Sequence, residues 1–274
     1  MNSLFCFGFG YTAGYLARSL PPGWQIGGTV RHQDGRPNTL LFGDALDLSG
    51  ITHLLISIPP EEAGDPVLLR YRHTLEKARS LRWIGYLSTT GVYGDHNGAL
   101  VDESTPTSPT SERARRRVLA ERDWLDFGEA RRVPVRIFRL AGIYGPGRSV
   151  LEDVRAGTAK RIIKPGQLFS RIHVEDIAAV LRAAMTADSK VPIFNVCDDE
   201  PAAPADVVAF ACDLLGVTPP PEIPFEESAL SPMALTFWVD NKRVDNRLMK
   251  HELGVELRYP NYREGLASLY QAIG

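Results

Sequence analysis

A loop of small residues directly after an apolar strand constrains this chain more than any other feature. Leu4-Phe5-Cys6-Phe7 is uninterrupted apolar sequence, and Gly8-Phe9-Gly10-Tyr11-Thr12-Ala13-Gly14 follows at once. A second strand-like run, Trp24 to Val30, ends on Arg31. Gly8 permits a tight turn, Gly10 lets a pyrophosphate approach the backbone, and Ala13 or Gly14 keeps the helix close to the strand. A helix opening there, with Tyr11 and Thr12 in its first turn, presents free N–H groups and a positive dipole end to phosphates. The strand–loop–helix context favours a dinucleotide site over an ordinary glycine turn.

The residues after the second strand bear on which dinucleotide binds. An NAD site usually carries an acid about 20 residues past the glycine loop, where it accepts hydrogen bonds from the ribose hydroxyls. Here the segment reads Gly28-Thr29-Val30-Arg31-His32, with no acid before Asp34. A carboxylate repels a 2′-phosphate, whereas a guanidinium pairs with it through a fork of donors. NADP is therefore expected in preference to NAD; the alternative is that Arg31 is a solvated surface residue.

At 274 residues the chain can bury one large core with a smaller lobe beside it. No apolar run approaches the roughly 20 residues of a membrane span. The opening residues lack the basic start of a signal peptide. Three widely spaced cysteines, Cys6, Cys197 and Cys212, have no metal-ligand spacing and suit a reducing compartment, so a cytoplasmic protein is expected with no metal and no membrane partner. The formal net charge of −2 argues against nucleic acid as a partner. The cluster Arg113, Arg115, Arg116, Arg117 sits among Glu112, Glu121 and Asp123 and reads as a solvated helix face, with a phosphate-binding patch as the alternative.

Strand-like and helix-like segments alternate through the first two-thirds. Expected strands are 4–7, 25–30, 53–58, 83–88, 135–140 and 193–196; expected helices are 14–19, 66–80, 111–129 and 174–186. Continuous apolar runs suit strands covered on both faces, and the alternation implies an α/β fold with a doubly wound, mostly parallel sheet that binds ligands at its carboxyl edge. Beyond residue 196 prolines punctuate short helical patterns at 205–215 and 242–253. Residues 1–196 are expected to form the nucleotide-binding domain, with 147–171 contributing to the substrate side, and 197–274 a small C-terminal substrate lobe.

Several ordered segments together resemble one family. They are Gly8–Gly14, Gly43-Asp44-Ala45, Ser88–Gly94, Arg139–Gly147 and Ile172–Ala178, continuing through Asn195-Val196, Lys242–Val244, Leu253-Gly254 and Tyr259–Leu266. The set is similar to the extended short-chain dehydrogenases/reductases, the NAD-dependent epimerase/dehydratase group, over nearly the whole chain. The resemblance implies a Rossmann core with a small substrate lobe. It places Asp44 and Ala45 at the adenine, and Ser57, Ile58 and Pro59 along the path from adenosine to nicotinamide. Thr89 falls where the family carries a hydroxyl that polarises a substrate carbonyl; capping of backbone groups at a strand end is the structural alternative. A homodimer is plausible by the same resemblance.

One departure is plain. The family's base is a tyrosine followed four residues later by a lysine that lowers its pKa and holds the nicotinamide ribose. Counted back from Glu121, those positions hold Arg113 and Arg117, and no lysine in the chain has a tyrosine four residues before it. Arg117 keeps a cation for the ribose and phosphate, but Arg113 cannot act as a base because guanidinium stays protonated. Tyr93, and less directly Tyr144, His96 and His173, are the substitute proton donors to consider. Two functions follow: an NADP-dependent oxidoreductase or epimerase for a small polar carbonyl or sugar-nucleotide-like substrate, with a non-standard site, or a non-catalytic NADP-binding regulatory, sensor or scaffold protein.

Overall fold

The computed structural model describes residues 2–33 and 35–272; Asp34 lies outside them. Five strands come from the first third of the chain: β1 (Ser3–Phe7), β2 (Gln25–Val30), β3 (Thr39–Leu41), β4 (His53–Ile56) and β5 (Trp83–Thr89). With Val135–Leu140 and Ile193–Val196 they make one seven-stranded sheet ordered 193–196, 135–140, β5, β4, β1, β2, β3. Every neighbouring pair is parallel. The chain winds outward from β1 to β3 and then crosses back to β4, so the strand order reverses beside β1. That reversal opens a crevice at the carboxyl ends of β1 and β4.

The alternation of side chains along β1 builds two cores. Leu4 and Cys6 point to one face, where Ala13 and Leu16 of α1 (Tyr11–Ser19) join them. Phe5 and Phe7 point to the other, against Val67, Tyr71 and Leu75 of α2 (Pro66–Lys77) and Trp124 of α3 (Glu112–Arg131). All five residues of β1 and all four of β4 are buried, as strands covered on both faces must be. Asp65 caps α2 by accepting the Val67 and Leu68 N–H groups, both at 3.0 Å, with Pro66 pre-set for the first turn.

The remaining helices are α4 (Val150–Arg155), α5 (Val174–Ala184), α6 (Pro204–Leu215), α7 (Pro232–Val239), α8 (Arg247–Leu253) and α9 (Tyr262–Gln271). α5 packs beside α1 on the first face. A third core gathers Tyr144 and Leu151 with Val207 and Ala211 of α6 and Leu266 and Leu269 of α9. The lobe beyond the sheet edge thus draws on residues both before and after strand 193–196.

Three expectations change. β3 is a strand that the sequence pattern did not suggest, three residues long and only half-buried. β4 stops at Ile56, and Ser57 begins the turn that meets the glycine loop. The helix expected over 242–253 is confined to α8, because Arg243-Val244 pairs as a strand with Leu100-Val101 and the Asp245 carboxylate takes the Arg247 N–H at 2.8 Å. Among the described residues no helix is long and apolar enough to cross a membrane.

Candidate functional site

The glycine loop sits at the crevice. Gly8 has φ +86°, and a Cβ there would lie 3.0 Å from Ile58 Cγ1, so only glycine lets β1 turn against the end of β4. The Phe9 N–H donates to the Thr29 carbonyl (2.7 Å) and the Ser57 N–H to the Phe7 carbonyl (2.8 Å), which ties the loop to both neighbouring strands. Gly10 is the N-cap residue of α1 and supplies no side-chain acceptor. The first intrahelical bond of α1 runs from Gly14 to the Gly10 carbonyl (2.9 Å), so the Tyr11, Thr12 and Ala13 N–H groups of the first turn have no helical partner. A Cβ built on Gly10 meets nothing within 4 Å. An uncapped helix start beside open space fits a pyrophosphate.

From this loop a cleft of about 780 Å³ extends across the ends of β4, β5 and strand 135–140. Tyr11, Thr12, Ser57, Thr89, Arg113 and Arg117 all line it. Thr89 ends β5, and its Oγ1 accepts the Gly91 N–H at 3.1 Å. It therefore caps the following 3-10 turn as well as facing the cleft. Its own O–H is the donor that remains.

Arg113 is exposed on the first turn of α3, whereas Arg117 is buried. Arg117 Nη1 donates to the Leu87 carbonyl (2.5 Å) and to the Tyr86 hydroxyl (3.3 Å), so part of this guanidinium is spent on β5.

The adenosine-side residues are less uniform. Arg31 is exposed at the end of β2 and makes no ion pair among the described residues. Arg36, a residue the sequence pattern did not single out, stacks its guanidinium 4.9 Å from the Phe9 ring centroid. Asp44 and Ala45 are exposed past β3, and the Asp44 carboxylate accepts the Leu41 N–H at 3.0 Å. Ile58 and Pro59 are half-buried, with Ile58 beside Gly8.

Tyr93 does not join the cleft. Its ring is fully buried, its hydroxyl donates to Asn195 Oδ1 at 2.7 Å, and the Arg139 guanidinium lies 4.8 Å from its centroid. Burial also raises its pKa. A phenol held this way is a packing and bridging group, and the expectation that it donates a proton to substrate is corrected accordingly.

Beneath it Glu121 accepts Ser88 Oγ and forms a buried ion pair with Arg139 at 2.8 Å. These contacts tie the end of β5 to α3 and strand 135–140. The alternative proton donors fare no better. Tyr144 lines the cleft but is buried, with its pKa raised by desolvation, and His96 Nε2 lies 3.1 Å from the Tyr93 carbonyl.

His173 is a buried cap. Its Nδ1 accepts the Glu175 N–H at 3.3 Å, and desolvation lowers its pKa to about 4. An imidazole held neutral in the fold and free to protonate when unfolded adds stability above the ordinary value of 6.5, lost as pH falls from there towards 4. Urea titrations are expected to show the chain about 2 kcal/mol less stable at pH 5 than at pH 7 on this account. The His173→Asn variant should lack that share of the slope; an identical slope would mean that His173 is not the titrating group.

Four more cleft residues escaped the sequence reading as a group: Arg148, Arg171, Lys242 and Phe237. Arg148, Arg171 and Lys242 each adjoin or belong to segments of the family pattern, but nothing in the linear sequence brings them together. The signal for Phe237 is the apolar run Met233–Val239, which forms α7.

A parallel sheet with this strand order, a glycine loop at its reversal and a hydroxyl at the end of β5 defines a dinucleotide-binding protein of the Rossmann class. Residues 72–197 match the NAD dependent epimerase/dehydratase family. The chain is 30% identical to Protein YeeZ of Escherichia coli K12, over 95% of this chain and 97% of the relative. A functionally unknown conserved protein from Silicibacter pomeroyi DSS has a solved structure with 49% identity and TM-score 0.93, covering 100% and 99% of the two chains.

Two further structures share the fold. UDP-glucuronic acid 4-epimerase from Bacillus cereus, in complex with UDP-glucuronic acid and NAD, superposes with TM-score 0.79 at 16% identity, covering 100% of this chain and 99% of the other. The human epimerase family protein SDR39U1 with NADPH gives 0.75 at 17%, covering 99% of each chain. The chain belongs to the NAD-dependent epimerase/dehydratase family.

Proposed function

We propose that this chain is an NADP-dependent enzyme of the oxidoreductase or epimerase type, acting on a small polar carbonyl or sugar-nucleotide-like substrate. One observation carries the reading: a single cleft joins the uncapped start of α1 to Ser57, Thr89 and Arg113. Bound there, a nicotinamide cofactor supplies hydride chemistry. The chain's own residues do the rest. The Tyr11–Ala13 amides hold phosphate, and the Thr89 hydroxyl donates to the substrate oxygen. The Arg113 guanidinium, in the place of the family's tyrosine, stabilises negative charge on that oxygen without transferring a proton. The proton itself is supplied by solvent entering the open cleft. Three buried, unpaired cysteines support a cytoplasmic setting.

Turnover of reduced nicotinamide across a panel of carbonyl compounds tests the reading, with Thr89→Ala expected to lower kcat at least tenfold. Activity that survives Thr89→Ala intact would refute the role given to the hydroxyl. Cofactor binding with no turnover of any compound would support the regulatory alternative instead.

Arg31 carries the preference for NADP, supported by the second guanidinium of Arg36 beside the loop. A charge-assisted pair with the 2′-phosphate is worth about 1.5–3 kcal/mol, which is roughly 10- to 100-fold in affinity. The Arg31→Asp variant is expected to lose that factor for NADPH and to gain affinity for NADH in fluorescence titrations. An unchanged ratio of the two affinities would remove Arg31 from the 2′-phosphate.

A further inference from the structure

The substrate half of the cleft has a marked division of character. Its charged lining is cationic apart from Asp240, and that carboxylate is already engaged by Thr110 Oγ1 (2.7 Å) and Lys242 Nζ (3.4 Å). Neither Arg113 nor Arg171 forms a close ion pair among the described residues, although the buried Asp198 carboxylate acts on Arg171. The stem of Arg171 lies along Gly142, with Cγ 3.8 Å from where a Cβ on that glycine would be. Its Nη1 donates to the Phe169 (2.8 Å) and Ala202 (3.1 Å) carbonyls. One edge of the guanidinium fork is thereby clamped by backbone on the cleft wall. Desolvation lowers the Arg171 pKa and the Asp198 carboxylate offsets this only in part, so a ligand anion at the cleft side of the guanidinium would offset more.

α7 supplies the other character. Trp238 is buried by edge contact with Phe169 (5.3 Å between centroids) and stacking on Phe225 (5.4 Å), and its carbonyl accepts Lys164 Nζ. This fixes the end of α7 against the lobe. Phe237, next to it, also lines the cleft yet stays 56% exposed. A large apolar ring presented to a cleft from a fixed support is a surface for a ligand to cover.

We propose that the substrate is a compact amphipathic anion, whose carboxylate or phosphate pairs with Arg171 while its flat apolar body packs against Phe237, leaving Arg113 to the reacting oxygen. The proposal rests on the reading of this cleft as a nicotinamide enzyme's substrate site and narrows the carbonyl substrate to an acidic one. A guanidinium clamped on one edge offers its remaining donors in the planar geometry that carboxylate and phosphate both accept.

Calorimetry on the full chain loaded with NADPH tests it, using cinnamate, phenyl phosphate and the neutral cinnamamide as probes. At least one of the two anions is expected to bind ten times or more tighter than cinnamamide. Whichever anion leads identifies the source of the charge. Arg171→Met is expected to abolish that preference. Because Arg171 also braces two carbonyls, the exposed Phe237→Asp serves as a second variant, and should weaken the anions at least tenfold more than the amide.

Equal binding of amide and anions, no binding of any probe, or a preference that survives both variants would overturn the proposal. NADPH binding is read separately. Should it fail, the nicotinamide reading falls, while the same anion titration on the unloaded chain still decides the substrate class.

Discussion

Replacing Gly10 with aspartate is expected to weaken NADPH binding at least ~100-fold and to leave stability unchanged or slightly raised. Gly10 is the N-cap residue of α1, and a side chain there enters open space, so no neighbour has to move. Aspartate is among the best N-cap residues, since its carboxylate accepts the second or third N–H of the helix. Those are the amides available to a pyrophosphate. The variant therefore occupies the anion's donors and sets a negative charge beside its phosphates.

Two like charges about 4 Å apart cost on the order of 4 kcal/mol at an effective dielectric near 20, while a 100-fold loss needs about 2.7 kcal/mol. Gly10→Ala removes only the open space, so a loss below about tenfold is expected there. Fluorescence titration paired with thermal unfolding separates the two effects. Full NADPH affinity in a folded Gly10→Asp protein would move the cofactor away from α1.

The Glu121→Ala substitution is expected to destabilise the fold by about 3–5 kcal/mol, lowering the unfolding midpoint by on the order of 10 °C. Glu121 and Arg139 are both buried, and Glu121 also accepts Ser88 Oγ. Removing the carboxylate leaves a guanidinium without its counter-charge in a region that water does not reach. Arg139 has few other partners there: it lies over the Tyr93 face, and its Nη1 already makes no hydrogen bond.

The reverse removal, Arg139→Met together with Glu121→Leu, should cost far less than Glu121→Ala, because no charge is left behind. Urea unfolding of the single and double variants gives the comparison. A Glu121→Ala protein within about 1 kcal/mol of wild type would mean that water enters this network.

Much of the fold was legible because its signals are local. Leu4–Phe7 and the following glycines specify a strand, a turn and a helix within a few residues, and buried strands such as His53–Ile56 announce themselves as apolar runs. The misses have physical causes. Thr39–Leu41 is too short and too exposed to show a pattern, and it becomes a strand only because β2 offers it an open edge. The stretch after Lys242 has helical spacing, but Asp245 captures a backbone N–H locally and the preceding residues find a partner strand far away in sequence.

The site divides the same way. The loop residues and Thr89 lie on segments whose local pattern marks them. The burial of Tyr93 depends on Asn195, 102 residues away, and the cationic wall is assembled from Arg113, Arg148, Arg171 and Lys242 on separate segments. No spacing rule reaches across such distances.

The interleaving of the two halves also sets an order of events during synthesis on the ribosome. The glycine loop and β1 to β5 emerge within the first 89 residues, long before the far wall of the cleft can exist. Tyr144, at the edge of that wall, is backed by α9, where a Cβ on Gly265 would fall 2.1 Å from its hydroxyl oxygen. Until α9 has left the exit tunnel, this aromatic ring and the α6 residues beside it lack the α9 part of their cover. The nascent chain thus offers its nucleotide-binding edge early and completes its substrate wall late, giving a free dinucleotide the opportunity to act as a folding template.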